Sequence, residues 1–300
     1  MAVLLDQMVG ELSRWHPLIG FGQLAHSVEQ RLNTPPPPAE PQIIPRLKGV
    51  LAVLIVCLPW AILVSRLSLV KYIGPLFSVG VLYLAIGAKS LQQHAVAVAA
   101  ALKSGDLITA RSRVSLMVSR DTSAMQEGDV MRAAIESVLE NGNDAIFGAI
   151  FWYLIAGPAG AVLYRLINTL DAMWGYKTPQ YVEFGWAAAR LDDLLNFIPA
   201  RLTALTYMVL GDWRGAWDCW QKQAPGWYSP NAGPVMASGA GALQLQLGGP
   251  ASYNGQIKDR PLLGLGNPPQ AGDIERSVEL VQKGLWLWVF ISFLGVLSHA

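Results

Sequence analysis

Long uncharged runs alternate with polar, motif-rich stretches along this chain. Residues 49–65 lie uncharged between Lys48 and Arg66, residues 72–88 lie between Lys71 and Lys89, and residues 284–300 follow Lys283. Each run is near the short end of the roughly 17–25 residues that a membrane helix needs. The flanking Lys and Arg stems extend that reach by snorkelling. Trp60, Tyr72 and Tyr83 are placed to sit at interfaces. Two further runs are ambiguous. Residues 145–164 are long enough to span, but Gly157-Pro158-Ala159-Gly160 interrupts them, and residues 202–211 are short, with an apolar face that can begin at Leu194. Broken apolar segments can dip into a membrane and return where protein or water satisfies the freed backbone.

The stretches between these runs predict the connections. Residues 35–41, rich in Pro, read as a stiff polyproline linker. Residues 89–144 read as amphipathic helix, Ala-rich at Ala95–Ala101. Residues 225–272 are crowded with Gly and Pro and predict a long irregular segment, either functional or mobile. The expected fold is all-α: a polytopic integral membrane protein with three to five membrane helices, amphipathic helices and a long Gly/Pro-rich loop. One domain is expected over 1–300. It comprises an N-terminal segment and linker (1–48), a helical membrane and motif region (49–211), a polar Gly/Pro-rich region (212–283) and a C-terminal membrane helix (284–300).

Composition supports a membrane protein. Charged residues make up 14% of the chain and apolar ones 52%, whereas soluble domains carry roughly a quarter charged residues. A net charge of +1 gives no nucleic-acid footprint. Two cysteines, Cys57 and Cys219, cannot build a disulfide framework. The apolar run Ala2–Leu5 is too short for a signal peptide, and Asp6 ends it.

Charged and amide side chains concentrate between Arg120 and Thr203, around the run 145–164. Charges beside membrane-type sequence are costly and usually have a task. Glu136, Glu140 and Asp144 recur at i, i+4, i+8, which puts three carboxylates on one helical face. A metal ion or an arginine cluster would answer them; the alternative is a solvated acidic face. Arg165, Asn168 and Asp171 share a face at i, i+3, i+6. That mixture suits a polar substrate or a magnesium-phosphate group, or an internal salt bridge. Asp192, Asp193 and Asn196 resemble a magnesium site, yet such triplets also occur on plain exposed helices. Arg120-Asp121-Thr122-Ser123 reads either as an anion contact or as the start of a capping box from Ser123 to Gln126. His16 and His94 stand alone and read as structural. There is no phosphate-loop glycine motif and no nucleophile elbow.

The order of the motifs carries more than any one of them. Trp15-His16-Pro17, Ser90 to His94, Ser119-Arg120-Asp121-Thr122, Ile135-Glu136-Ser137 with Glu140-Asn141, and Asn168-Thr169-Leu170-Asp171 with Gly175-Tyr176-Lys177 come in that sequence. Phe184-Gly185, Arg190 with Asp192-Asp193 and Asn196, Pro199-Ala200-Arg201 with Thr203, Ser229-Pro230-Asn231 and Leu247-Gly248-Gly249-Pro250 follow. This ordered set resembles the CobD/CbiB family from about Leu5 to Gly266. The resemblance implies an adenosylcobinamide-phosphate synthase of cobalamin biosynthesis in the cell inner membrane, its active site facing the cytoplasm. The implied reaction is ATP-dependent amide formation between adenosylcobyric acid and aminopropanol or aminopropanol phosphate, with Mg2+ as cofactor. Membrane lipid and other late cobalamin-assembly enzymes are the implied partners.

Matched motif by motif, the resemblance points to Glu136, Glu140, Asp144 and Asp171 for catalysis. It points to Arg120, Asp121, Asn141, Asn168, Arg190, Arg201 and Asn231 for cofactor contacts, and to Asp192, Asp193 and Asn196 for the metal. The chain departs from the family pattern at Gly142-Asn143-Asp144-Ala145, where the family usually has Thr-Ser-Asp-Gly, and at Ala149, where a Pro is usual. Only Ala2–Leu5 precede Asp6, where the family pattern leads one to expect a hydrophobic helix, so the first span looks truncated or the start is internal. The rival readings are a non-catalytic AmpE-like membrane sensor and a transporter. The acids at Glu136, Asp171, Asp192 and Asp193 argue against the sensor, and the lack of a repeat pair argues against the transporter. If 145–164 and 202–211 dip in and return, every Lys and Arg except Arg66 and Lys71 faces the cytoplasm. Gly157-Pro158-Ala159-Gly160 is then expected to mark a turn within the membrane layer.

Overall fold

The apolar runs fold mainly as helices, and at 49–65 and 145–164 the helices extend beyond the runs. The computed structural model describes residues 1–11, 16–34, 42–253 and 255–299. The expected linker at 35–41, and Trp15 of the first motif, lie outside these described residues. The helices are α1 (Ala2–Val9), α2 (Pro17–Leu32), α3 (Ile43–Ser68), α4 (Gly74–Ala85), α5 (Ala88–Lys103), α6 (Leu107–Val114) and α7 (Glu127–Gly142). A π turn (Asn143–Phe147) leads into α8 (Gly148–Trp174), followed by α9 (Trp186–Leu210), α10 (Trp213–Gln223), α11 (Ala232–Leu243) and α12 (Ala271–His299). The only strands among the described residues are short. β1 (Leu247–Gly248) pairs antiparallel with β4 (Leu262–Leu263), and β2 (Ala251–Tyr253) with β3 (Gln256–Lys258).

Among the described residues, four helical stretches are long and apolar enough to cross a membrane: Ile43–Ser68, Gly74–Lys103, Glu127–Trp174 and Ala271–Gly295. The architecture is therefore an all-α polytopic membrane protein; α9 is not among these stretches. The second expected span is divided. Ile86 takes an extended conformation (φ −95°, ψ 143°) after α4, and the helix restarts at Ala88.

The third stretch is too long to be one rod. Its 48 residues would measure about 72 Å as a straight helix, against a hydrocarbon core of about 30 Å. The chain instead turns inside α8. Ala156 leaves helical geometry and Gly157 adopts φ 63°, ψ −160°, a region open essentially to glycine, with Pro158 following. The hydroxyl of Tyr164 lies 3.2 Å from the carbonyl oxygen of Asp144. In a straight helix those residues would stand about 30 Å apart. A Cβ on Gly160 would meet the carbonyl of Trp152 at 2.5 Å. The two arms of α8 thus run back along each other, and the turn expected at Gly157-Pro158 is present.

The chain forms two compact units, each assembled from two stretches. The first holds Met1–Gly87 and Asp144–Asn196; the second holds Ala88–Asn143 and Phe197–Ala300. The core of the first unit gathers Ala25, Ala52, Val56, Leu170, Trp174 and Phe184, with the last two rings edge-on at 5.2 Å. Buried inside this unit, Glu29 accepts from the Tyr181 hydroxyl at 2.7 Å and the Trp174 indole at 3.2 Å.

In the second unit the Gly/Pro-rich region departs from expectation. It is not irregular throughout: it contains α11, whose 12 residues are all buried, and the first part of α12 begins at Ala271, well before residue 284. The glycines of α11 are packing positions rather than turns. A Cβ on Gly239 would lie 2.7 Å from Leu139, and one on Gly241 would lie 2.3 Å from the Gly215 carbonyl. Small residues let α11 approach α7 and α10 at backbone distance, so composition that signals a loop here signals close helix contact. The capping box also falls one turn later than expected. Asp129, not Gln126, supplies the returning side chain, accepting the Gln126 N–H at 3.0 Å.

Candidate functional site

The polar residues of the first unit converge beside the reversed α8. Asn168 projects from the returning arm and donates to Asp192 Oδ1 at 3.2 Å. One turn along α9, Asn196 donates to Asp192 Oδ2 at 3.1 Å, while its own Oδ1 lies 2.8 Å from the Tyr164 hydroxyl. Asn196 is 1% exposed. Both oxygens of Asp192 therefore meet amides, and neither of these contacts brings a full positive charge. Burial pushes the Asp192 carboxyl up from 3.8 to about 6, against the pull of the two amide donors. Burial also raises Asp193, opposed by Arg190 and Lys177. Arg190 is largely exposed, with its guanidinium 3.6 Å from Asp193. Asp171 stands over Gly175 at the end of α8, where any side chain would collide with its Oδ1. Asp144 lies in the π turn, half-buried, and its backbone carbonyl meets Tyr164.

The second unit holds a different cluster. Glu136 on α7 is fully buried and accepts from two guanidiniums, Arg120 and Arg260. The Arg260 contact measures 2.9 Å. The Gly248 N–H adds a third donor at 2.8 Å. Arg260 also donates to the Gly249 carbonyl at 2.9 Å, and Arg120 to the Tyr253 hydroxyl at 3.2 Å. Asp121 accepts from the Ser252 hydroxyl at 2.8 Å and from the Gly255 N–H at 2.7 Å. These bonds pin the β1–β4 and β2–β3 ribbons to α7. A cavity of about 200 Å³ opens here, lined by Arg120, Arg132, Arg260, Asp121 and Asp129 among others. Each lining arginine already has an acid: Arg120 and Arg260 share Glu136, and Arg132 holds Asp129 at 2.5 Å.

The remaining expected residues of this unit make local bonds. Glu140 is half-buried and acts on the Tyr228 phenol. Asn141 donates to the Ser137 carbonyl and hydroxyl at 2.9 and 3.1 Å. Arg201 donates to Asn231 Oδ1 at 2.8 Å and to the Pro230 carbonyl at 3.1 Å, and stacks on Phe197. The i, i+4, i+8 face expected for Glu136, Glu140 and Asp144 does not persist, because the π turn holds Asp144 and breaks the α spacing. Among the described residues, no three His, Cys, Asp or Glu side chains gather as a metal cage.

Tyr164, Glu29 and Arg260 were not anticipated. Arg260 did leave a trace, as the sole arginine of 225–272. Tyr164 left none, because its role depends on the reversal of α8.

The family model described as CobD/Cbib protein matches residues 1–281. The chain belongs to the CobD/CbiB family. It is similar to the cobalamin biosynthesis protein CobD of Chromobacterium violaceum, at 56% identity over 97% of this chain and 94% of that protein. Similarity to the CobD of Stutzerimonas stutzeri is 52% identity over 98% of this chain and 95% of that protein. For the CobD of Mycobacterium tuberculosis (strain CDC 1551 / Oshkosh) it is 36%, over 94% and 90%. No solved structure matches the chain.

Proposed function

We propose that this membrane protein acts in cobalamin biosynthesis as the ATP-dependent ligase joining adenosylcobyric acid to aminopropanol or its phosphate. Membership of the CobD/CbiB family supports the pathway. The observation that supports the chemistry is Asp192, a half-buried carboxylate held by amides. A carboxylate short of compensating charge suits a cation that arrives with its own ligands. Mg2+ keeps water and phosphate oxygens and takes only one or two protein carboxylates, so Asp192 and Asp193 suffice without an all-protein cage. When bound, ATP supplies the activation that turns a poor acyl donor into an acyl phosphate, and Mg2+ spreads the phosphate charge.

The chain's own residues have distinct tasks in this reading. Asn168 and Asn196 fix both oxygens of Asp192, and Tyr164 fixes Asn196. Glu136 holds Arg120 and Arg260, and through them the glycine-rich ribbons. The inner membrane is the proposed location, with the polar ends of α8 facing the cytoplasm. The reversal at Gly157 supports this topology, because it returns Tyr164 to the level of Asp144.

The test is purified protein with adenosylcobyric acid, ATP, Mg2+ and each amine in turn, with the corrinoid product read by mass. An ATP-dependent gain of the amine mass is expected. No product with either amine would overturn the assignment.

A further inference from the structure

Arg165 is on the returning arm of α8, next to Tyr164, and the network around Asp192 does not use it. Its Nε is buried, and among the described residues no acceptor reaches it. An unpaired buried donor on a charged group is costly enough to require an explanation. Arg165 lines a cavity of about 260 Å³ within the first unit, formed by α2, α3, α4 and α8. The rest of the lining is apolar apart from His16, which caps α2 by accepting the Leu18 N–H at 3.2 Å. Phe77, Val81 and Leu84 line it along one face of α4, a length of about 10 Å at the helical rise. The polar end lies at Leu84, whose backbone bonds His16. Trp60, Leu63 and Leu67 of the spanning helix α3 also line it and are each 40–46% exposed, so the groove opens on the face that meets lipid.

We propose that this groove binds one anionic phospholipid, its phosphate on Arg165 and an acyl chain lying along α4 toward Phe77. Charge complementarity selects the headgroup, since a zwitterionic lipid or a tail alone leaves the guanidinium less well answered. The apolar length selects a lipid over a free phosphate. This site is separate from the Asp192 network and does not depend on the proposed ligase activity.

The experiment is native mass spectrometry of detergent-purified protein mixed with dioleoylphosphatidylglycerol or dioleoylphosphatidylcholine, with melting midpoints measured in parallel. One phosphatidylglycerol should be retained at least 10-fold more than phosphatidylcholine, and should raise the midpoint. Arg165→Gln should abolish the preference, and Arg165→Lys should keep part of it. If Arg165→Gln does not fold, Val162→Phe, which narrows the groove and keeps the charge, should lower retention of phosphatidylglycerol. Equal retention of both lipids by the wild type would overturn the proposal. So would unchanged preference in Arg165→Gln or Val162→Phe, or displacement of the lipid by millimolar inorganic phosphate.

Discussion

Glu136 in the second unit is fully buried and Asp192 in the first half-buried, and the neighbours of the two carboxylates differ. Two guanidiniums and a backbone N–H meet Glu136, whereas two side-chain amides meet Asp192. The first arrangement is saturated with charge and ties irregular chain to a helix. The second orients its carboxylate without neutralising it, so a proton or a cation still has something to do there. A polar cluster beside membrane sequence can therefore be scaffold or reactive site, and the charge left over distinguishes them.

The largest effect should come from breaking the saturated cluster. Glu136→Gln leaves Arg120 and Arg260 without a counter-charge, which costs about 3–5 kcal/mol when one partner of a buried pair is removed. The melting midpoint in micelles should fall by about 10 °C or more. A variant that melts like the wild type would erase the contrast between the clusters.

Next comes pH. The Asp192 carboxyl is raised on folding from 3.8 to about 6, so the folded state binds its proton more tightly than the unfolded state. Its contribution is greatest below pH 4 and is lost as pH rises through 6. The rise corresponds to at most about 3 kcal/mol. Wild-type stability minus that of Asp192→Asn should therefore decline between pH 4 and 7 and then level off. A difference that stays flat over that window would mean Asp192 is ordinarily solvated.

Gly157→Ala tests whether the first cluster depends on the reversal of α8. At φ 63°, ψ −160° an alanine is strained by about 1–3 kcal/mol, and chemical denaturation should show that loss. The smallest effect is expected for Arg260→Lys, which keeps the charge on Glu136 but loses the fork that also reaches Gly249. About 1–2 kcal/mol, and faster hydrogen exchange at Gly248, would mark it.

The length of the uncharged runs made the membrane helices of this protein legible, and charge made the cluster region legible. The run 49–65 lies inside α3, and the break at Gly157 coincides with a glycine and a proline that no straight span needs. Composition misled at α11, because Gly239 and Gly241 read as loop residues while serving close packing. The π turn at Asn143–Phe147 was hidden too, since nothing local in the α spacing of Glu136, Glu140 and Asp144 announces an inserted residue. Within the candidate site, Asp192 and Asn196 were visible as i, i+4 neighbours. Their partners Asn168 and Tyr164 meet them only through tertiary structure, and Arg260 reaches Glu136 across 124 positions.

The most direct test of the central claim compares turnover and folding of Asp192→Asn with the wild type at matched, saturating Mg2+. Corrinoid amide formation should fall by at least about 100-fold, on the scale of losing one charged group from a reactive site, while the melting midpoint stays within a few degrees. Wild-type turnover in Asp192→Asn would contradict the account and remove the first unit's cluster from the chemistry.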